Sequence, residues 1–435
     1  MIDMKIDINF CDVVKDIFKR VSSSGEEIFL VGGRVRDFFL NVESDDYDFC
    51  TSCPLDKLLE IFKDEKLFYK NKRWKTLSFF KDEKEIEITS YSDSSFDEDL
   101  KRRDFTIDSL AVDKDKNLFK LGSSLEDLND RVIRFNSPKE EIIKSDPLRM
   151  LRAIRLASTL DLKIEDESKS LILKYAPLIK TVSKERVAKE MSKFIVSNDS
   201  AKYIDEYYLL FSELIDELKD MDGFEQNNRY HVYDVKDHTL KVLDSVEKRT
   251  EVTCLAALFH DLGKPASYFL DAKGVGHFHG HALVSAALAE TYLTNFNFSK
   301  KEVNKIVKLI HYHDYPIDDR IQVKKLLGKV GEDLIEDMLV LKRADIMGQN
   351  PSEEYICRLD RFEEREKWAR EIIDNKECYS LNTLKIDGND IKSLGKFDGE
   401  EIGIILHRLL KNVMEEKIVN EKEVLINYVK KNYLR

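Results

Sequence analysis

A chain of 435 residues is too long for one ordinary core, so about two to four domains are expected. Its formal charge of −12 excludes a generally basic coat for nucleic acid, but not a local basic groove. With 16 glycines and 7 prolines, long helices should dominate.

The first stretch, "MIDMKIDINFCDVVKDIF", has no basic segment followed by an apolar run, so no signal peptide is expected. No apolar stretch is long enough to span a bilayer, and no membrane partner is expected. Six scattered cysteines suggest reduced thiols and a cytoplasmic location. Cys50 and Cys53 form a CxxC with no second pair, and read as small buried side chains. Residues 1 to about 135 alternate strands and helices. "EEIFLVGG", "DYDFCTS", "TLSFF" and "EIEITSY" are predicted strands, rich in β-branched and aromatic residues. From Asp146 the spacing predicts helices, as in "DPLRMLRAIRLASTL" and "SKERVAKEMSKFI". The stretch from about 228 to 350 is helical and histidine-rich. The tail is helical around the turn-rich "LKIDGNDIKSLGKFDGEE".

Two motifs carry chemistry. In the first, Gly32 and Gly33 follow an apolar strand and precede a helix predicted from Val35 onward. Glycines let the backbone approach a phosphate, and a helix start offers free amides. Asp46 and Asp48, two apart on a strand, share a face. Close carboxylates repel unless a cation neutralises them, and hard oxygen donors suit Mg²⁺ together with substrate phosphates. "KNKRWK" mixes cations with an aromatic, so Lys72, Arg73 and Trp74 are candidate RNA contacts.

"GGRVRD", "DYD", "KRRDFTIDSLAVD" and "SDPLRMLRAIRLAS" occur here in the order seen in class II tRNA nucleotidyltransferases, which the chain resembles. That family includes CCA-adding enzymes and bacterial poly(A) polymerases. The resemblance implies an α+β nucleotidyltransferase head with a mixed sheet (1–140). A helical base-recognition neck (141–225) and a predominantly α-helical body with a helical tRNA-binding tail (351–435) would follow. It implies CTP and ATP as substrates and the tRNA 3′ end as partner, with no DNA. Asp46 and Asp48 would hold Mg²⁺, with Glu87 as a third carboxylate. Gly33 and Arg36 would meet the triphosphate, with Gly32 beside them, and Arg103 would add bonds to phosphate. Asp104 would contact the ribose. Asp146 and Arg149, read as three apart on one helix face, would read the base. Arg152 and Arg155 would continue that face toward phosphates. Asp108 stands where the family has asparagine, and Ser145 where it has glutamate. Only "SYSDSSFDEDLK" separates the Glu87 strand from Arg102, where CCA-adding members carry a longer flexible loop. A shortened loop resembles the CC-adding specialists.

The second motif holds eight of the nine histidines, between His231 and His313. Dispersed imidazoles and carboxylates become metal ligands when they converge. "ALFHDLGKPAS" and its neighbours resemble the HD-type metal-dependent phosphohydrolases, here over 226–350. The matching positions imply His238, His260, Asp261 and Asp345 as one metal set, with His281 and His313 completing a second. His279 and His311 are alternatives to the last two, and Lys264 is a phosphate contact. Imidazole favours a transition metal (Mn, Fe, Co, Ni or Zn) over Mg²⁺. Three other readings stay open at this point. The chain is a poly(A) polymerase, or a phosphohydrolase with a non-catalytic RNA-binding head, or the histidine bundle is a purely structural clamp.

Overall fold

The computed structural model describes residues 2–71, 75–227, 233–349 and 353–434. The proposed RNA contacts Lys72, Arg73 and Trp74 lie outside them. The chain divides into two compact units, Met1–Phe194 and Ile195–Arg435.

The first unit is built on an eight-stranded mixed sheet. Its strands are β1 (Ile2–Lys5), β2 (Ile28–Val31), β3 (Asp46–Thr51), β4 (Phe68–Asn71), β5 (Thr76–Lys81), β6 (Lys84–Ser90), β7 (Leu110–Val112) and β8 (Asn117–Lys120). Their order is β1-β8-β7-β2-β3-β6-β5-β4. Only β3 and β6 run parallel within it, with Asp46 opposite Glu85 and Asp48 opposite Glu87. Tyr47 and Phe49 are buried on the other face of β3, so the pleat itself turns the two aspartates to one side. The predicted strands are all present. Four more, β1, β4, β7 and β8, were not foreseen.

Helical residues close this unit. Leu148–Leu160 buries Leu148, Leu151, Ile154 and Ala157 along one stripe. The helix Lys184–Ile195 follows. The helix after the glycines spans Gly33–Leu40, two residues earlier than expected.

The second unit is helical apart from a two-stranded hairpin, Phe269–Leu270 with Gly276–His277. Helices Val235–Asp244, Glu251–Phe259, His281–Asn295, Lys300–Tyr312 and Glu332–Met347 carry the histidine motifs. Several start with a side-chain cap: Asp234 before the first, and capping boxes at Thr250 and Ser299. The tail has its own core, where Ile391, Ile405, Leu409, Leu425 and Val429 pack together. Among the described residues, no helix is long and apolar enough to cross a membrane.

Candidate functional site

The parallel pairing of β3 and β6 gathers acidic side chains on one face. Asp46 is exposed and Asp48 half-buried, and Glu87 lies beside Asp48 in register. Across from them, Gly32 adopts φ +69°, a conformation that glycine tolerates and other residues rarely take. A Cβ there would stand 2.9 Å from Arg103 Nη1 and 3.4 Å from Asp48 Oδ2. The glycine therefore admits the Arg103 guanidinium next to the Asp48 carboxylate. Burial opposes the charge on Arg103, but Asp99, Cys50 and Asp48 outweigh it and raise its pKa. Arg103 donates to Asp99 at 3.0 Å, and its Nε is buried with no hydrogen-bond partner among the described residues. The result is a cation fixed beside two carboxylates, with a donor to spare.

Arg36 is buried and committed on both sides. It donates to Asp37 at 2.7 and 2.9 Å and to Asp108 at 2.7 Å. The unusual aspartate at 108 thus acts as an anchor for Arg36. Asp104 is clasped by Arg149 and Arg152. Burial works against ionisation of Asp104, yet the two guanidiniums hold its pKa below the usual carboxylate range.

The helix-face pairing of Asp146 with Arg149 needs correction. Pro147 disfavours helical geometry in the residue before it. Asp146 accordingly sits at φ −151°, ψ 94°, between two helices rather than on one. Its carboxylate accepts from Arg186 at 2.6 and 3.2 Å. Arg149 instead donates to Ser145 Oγ at 2.8 Å and to the Ile142 carbonyl at 2.7 Å, besides Asp104. In the arginine row, Arg152 and Arg155 both pair with Glu190. The short segment before Arg102 is no loop. After a turn it forms the helix Phe96–Lys101, capped reciprocally by Ser95 and Glu98. That helix buries Asp99 between Arg102 and Arg103.

In the second unit, four imidazoles converge on Asp261. His238 Nε2 is 3.2 Å from Asp261 Oδ2 and 3.2 Å from Asp345 Oδ1. His260 Nε2 is 3.1 Å from Asp261 Oδ2 and 4.0 Å from Asp345 Oδ1. On the other side, Asp261 Oδ1 lies 3.3 Å from His281 Nε2 and 3.8 Å from His313 Nε2. Each ring is held from behind. Nδ1 of His238, His260, His281 and His313 meets the carbonyls of Gly348, Ala257, Phe278 and Ile310 at 3.1, 2.7, 2.9 and 2.7 Å. A carbonyl only accepts, so each Nδ1 carries a proton and each Nε2 faces inward, where it offers a lone pair whenever the ring is neutral. His281 Nε2 and His313 Nε2 face each other across 3.2 Å, close enough to share a proton or to ligate one metal ion. His260 Nε2 and both Asp261 oxygens are buried, with Lys264 Nζ 2.7 Å from Asp261 Oδ2.

The donor set, imidazoles and carboxylates gathered around Asp261, suits metal ions. Two three-ligand clusters stand out among the described residues: His238, His260 and Asp345, and His260, Asp261 and His313. Without an ion, burial opposes charge on His238, but Asp261 and Asp345 prevail and lift its pKa to about 9. Burial, reinforced by His260, pushes His313 down to about 3. Gly263 makes the second half possible. A Cβ there would lie 2.7 Å from the Ser285 amide and 2.9 Å from the His281 carbonyl, so only glycine lets the helix start at His281 seat beside Asp261. Of the alternatives, His311 meets Tyr312 edge-on, and His279 stacks on His277 and touches Phe269, so neither joins the cluster. Lys264 is buried, 2.7 Å from Asp261 Oδ2, and donates to Gln226 at 2.9 Å.

Comparison with known proteins bears on both units. Residues 28–134 match the poly A polymerase head domain family. Within this head domain lie Gly32, Asp46, Asp48, Glu87 and Arg103. Residues 281–429 match tRNA nucleotidyltransferase domain 2, and residues 161–217 a family described as an RNA and SrmB binding site of polymerase A. The CCA-adding enzyme of Ligilactobacillus salivarius is 25% identical over 95% of both chains. The A-adding tRNA nucleotidyltransferase of Deinococcus radiodurans is 28% identical over 87% of this chain and 90% of that one. The CC-adding tRNA nucleotidyltransferase of Thermus thermophilus is 27% identical over 92% of both. Two solved structures share the fold. The Bacillus stearothermophilus CCA-adding enzyme in complex with CTP has a TM-score of 0.67 at 20% identity, over 96% of both chains. The Thermotoga maritima CCA-adding enzyme complexed with tRNA has a TM-score of 0.65 at 18% identity, over 98% of this chain and 96% of that one.

Several residues that shape these sites escaped the sequence reading: Asp99, Glu190 and Arg186 in the first unit, and Gln226 in the second. Asp99 carried a usable signal. It stands three and four residues before Arg102 and Arg103, the spacing of helical ion pairs. Glu190 and Arg186 are reached only through the fold.

Proposed function

We propose that the chain transfers nucleotides from CTP, and in the complete reaction ATP, to the 3′ end of tRNA. The observation that carries this reading is the Gly32–Asp48–Arg103 constellation beside Asp46, within a head domain of matching family. Asp46 and Asp48, with Glu87 adjacent, would hold Mg²⁺. When bound, that metal supplies the positive charge needed for attack by a ribose hydroxyl on a triphosphate. Gly32 and Gly33 bring backbone amides to the phosphates, and Arg103 presents its guanidinium there. Arg36, braced by Asp37 and Asp108, fixes the start of the following helix.

Asp146 and Arg149 remain the proposed base readers, now as two separately anchored groups. The first accepts from an exocyclic amine, and the second donates to a ring acceptor. Both features suit C and A, and reject U and G. Asp146→Ala should therefore relax selection against UTP and GTP about tenfold or more and slow CTP use, read by misincorporation kinetics. An unchanged preference places the reader elsewhere.

The rigid, capped helix Phe96–Lys101 takes the place of a long flexible segment. We infer from it that the addition of A is the limiting step. The test supplies nucleotides singly and together to tRNA ending before CCA, in C, and in CC. The expected result is efficient CC addition and poor A addition. No incorporation into any of the three refutes the transferase reading. Efficient conversion of CC ends to CCA refutes only the limit on A. Long A tracts would favour a poly(A) polymerase.

A second activity is proposed for the His/Asp cluster, because its inward-facing Nε2 atoms and carboxylates suit metal ions. We read it as a metal-dependent phosphohydrolase acting on 2′,3′-cyclic phosphates or on phosphates at damaged RNA 3′ ends. His238, His260, Asp261 and Asp345 would hold one ion, and Asp261, His281 and His313 the other. Bound ions would supply an activated water and Lewis acidity. A blocked 3′ end cannot act as a nucleophile, so clearing it prepares the substrate for the head.

A further inference from the structure

The hairpin Phe269–Leu270/Gly276–His277 lies at the mouth of the histidine cluster. One cavity of about 380 Å³ is lined by Asp261, Lys264, His281, His313 and Asp345 and also by His277 and His279. That size falls within the ~300–1,000 Å³ of small-ligand sites. The hairpin presents three rings in mutual contact. Phe269 and His277, directly opposite in the ladder, have centroids 5.2 Å apart and planes inclined by 23°. His277 and His279 lie 5.6 Å apart at 20°, and Phe269 and His279 5.2 Å apart. Phe269 is 44% exposed, and Leu270 and Val275 are also open to solvent. Among the described residues, this cluster stays at a water-facing edge.

The rings are also held in place. His277 Nε2 meets Asp271 Oδ2 at 3.1 Å, while Asp271 Oδ1 accepts from the amides of Lys273 and Val275 at 2.8 and 2.9 Å. The Gly276 amide donates to the Asn227 carbonyl at 3.0 Å. Its missing side chain admits the Gln226 carbonyl, which would stand 2.3 Å from a Cβ. Gln226 in turn accepts from Lys264, which touches Asp261. The aromatic edge and the ligand cluster are thus tied through one short polar chain.

We infer that Phe269, His277 and His279 form a stacking platform for a nucleobase, so that the cluster acts on nucleoside phosphates and not on small phosphoesters at large. The inference rests on the phosphohydrolase reading and names the substrate class of that site. A π-face accepts any base, so the platform selects for the presence of a base and not for its identity. The shared chemistry is a ribonucleoside 2′,3′-cyclic or terminal phosphate, whether as a free nucleotide or at an RNA end.

Three substrates test this on the full-length chain loaded in turn with Mn²⁺, Co²⁺ or Ni²⁺. They are adenosine 2′,3′-cyclic phosphate, an RNA oligonucleotide ending in a 2′,3′-cyclic phosphate, and methyl riboside 2,3-cyclic phosphate, which has no base. Phe269→Ala and His279→Ala should each raise KM for a base-bearing substrate by about 5- to 150-fold, the usual span for one stacking contact. The turnover of the methyl riboside should not change. Response of the first substrate alone identifies a free-nucleotide site, and response of the second alone an RNA-end site. Calorimetric titration gives a readout independent of turnover. Adenosine 3′-monophosphate should bind the loaded chain at least about 5-fold more tightly than ribose 3-phosphate, and Phe269→Ala should erase the difference. Equal binding of the two, or variants that weaken both alike, would overturn the platform. Base-dependent binding lost in Phe269→Ala, without hydrolysis of any substrate, would instead defeat the phosphohydrolase reading and leave the platform standing.

Discussion

Replacing Asp46 or Asp48 with alanine is expected to stop nucleotide addition while tRNA still binds. The two carboxylates share one face of β3, with Glu87 beside Asp48 on the parallel neighbour. Bound Mg²⁺ would contribute several kcal/mol of transition-state charge stabilisation. At about 1.4 kcal/mol per tenfold, loss of either aspartate should slow addition about a thousandfold or more. RNA affinity comes from dispersed contacts to phosphate and sugar, which neither variant removes. Incorporation of labelled CTP into tRNA lacking its 3′ end, with a gel-shift measurement alongside, separates the two effects. Near-normal addition by both variants would take the pair out of the chemistry.

His260→Ala and Asp261→Ala should have an equally large effect on the other proposed activity. Asp261 touches both halves of the cluster, one oxygen to each, so its loss should empty both metal positions. His260→Ala removes an Nε2 shared by both three-ligand groups. Even partners behind the ligands change metal affinity by about 10- to 100-fold, so loss of a ligand should cost at least about a hundredfold. Elemental analysis of protein purified without chelator, paired with a hydrolysis screen, reads the outcome. Nucleotide addition should be unchanged, since the head's acidic pair lies in the other compact unit. A wild-type chain that holds no metal and hydrolyses nothing would leave the cluster as a structural bundle.

Local patterns in the sequence account for much of this architecture. The same-facing aspartates, the glycine turn and the strand at Glu87 depend on neighbours one to three residues away, and period-two alternation reveals them. The converging histidines were legible because their spacing matched a known arrangement of ligands. Three or four residues at each strand of β1, β4, β7 and β8 gave too short a run for alternation to register. The shared helix face of Asp146 and Arg149 fails for a local reason visible in principle: Pro147 takes Asp146 off the helix, and a count of three residues says nothing about a break between them. The ion pairs of the arginine row were hidden for the opposite reason. Glu190 and Asp104 approach it from distant parts of the chain, and no window on the helix contains them. The segment ahead of Arg102 was read by length alone, although Ser95 and Glu98 spell out a capping box.

The carbonyls behind the four histidines bear on the order in which the second unit is assembled. The carbonyls of Ala257, Phe278 and Ile310 each lie three residues before the ring they hold. Those contacts form as the local turns form, and they set both the tautomer and the direction of each lone pair. The fourth, from Gly348 to His238, closes when the last of these helices docks. Ring orientation is therefore held by backbone contacts of the chain itself. An ion bound there would meet rings that do not have to turn, only to give up any proton on Nε2.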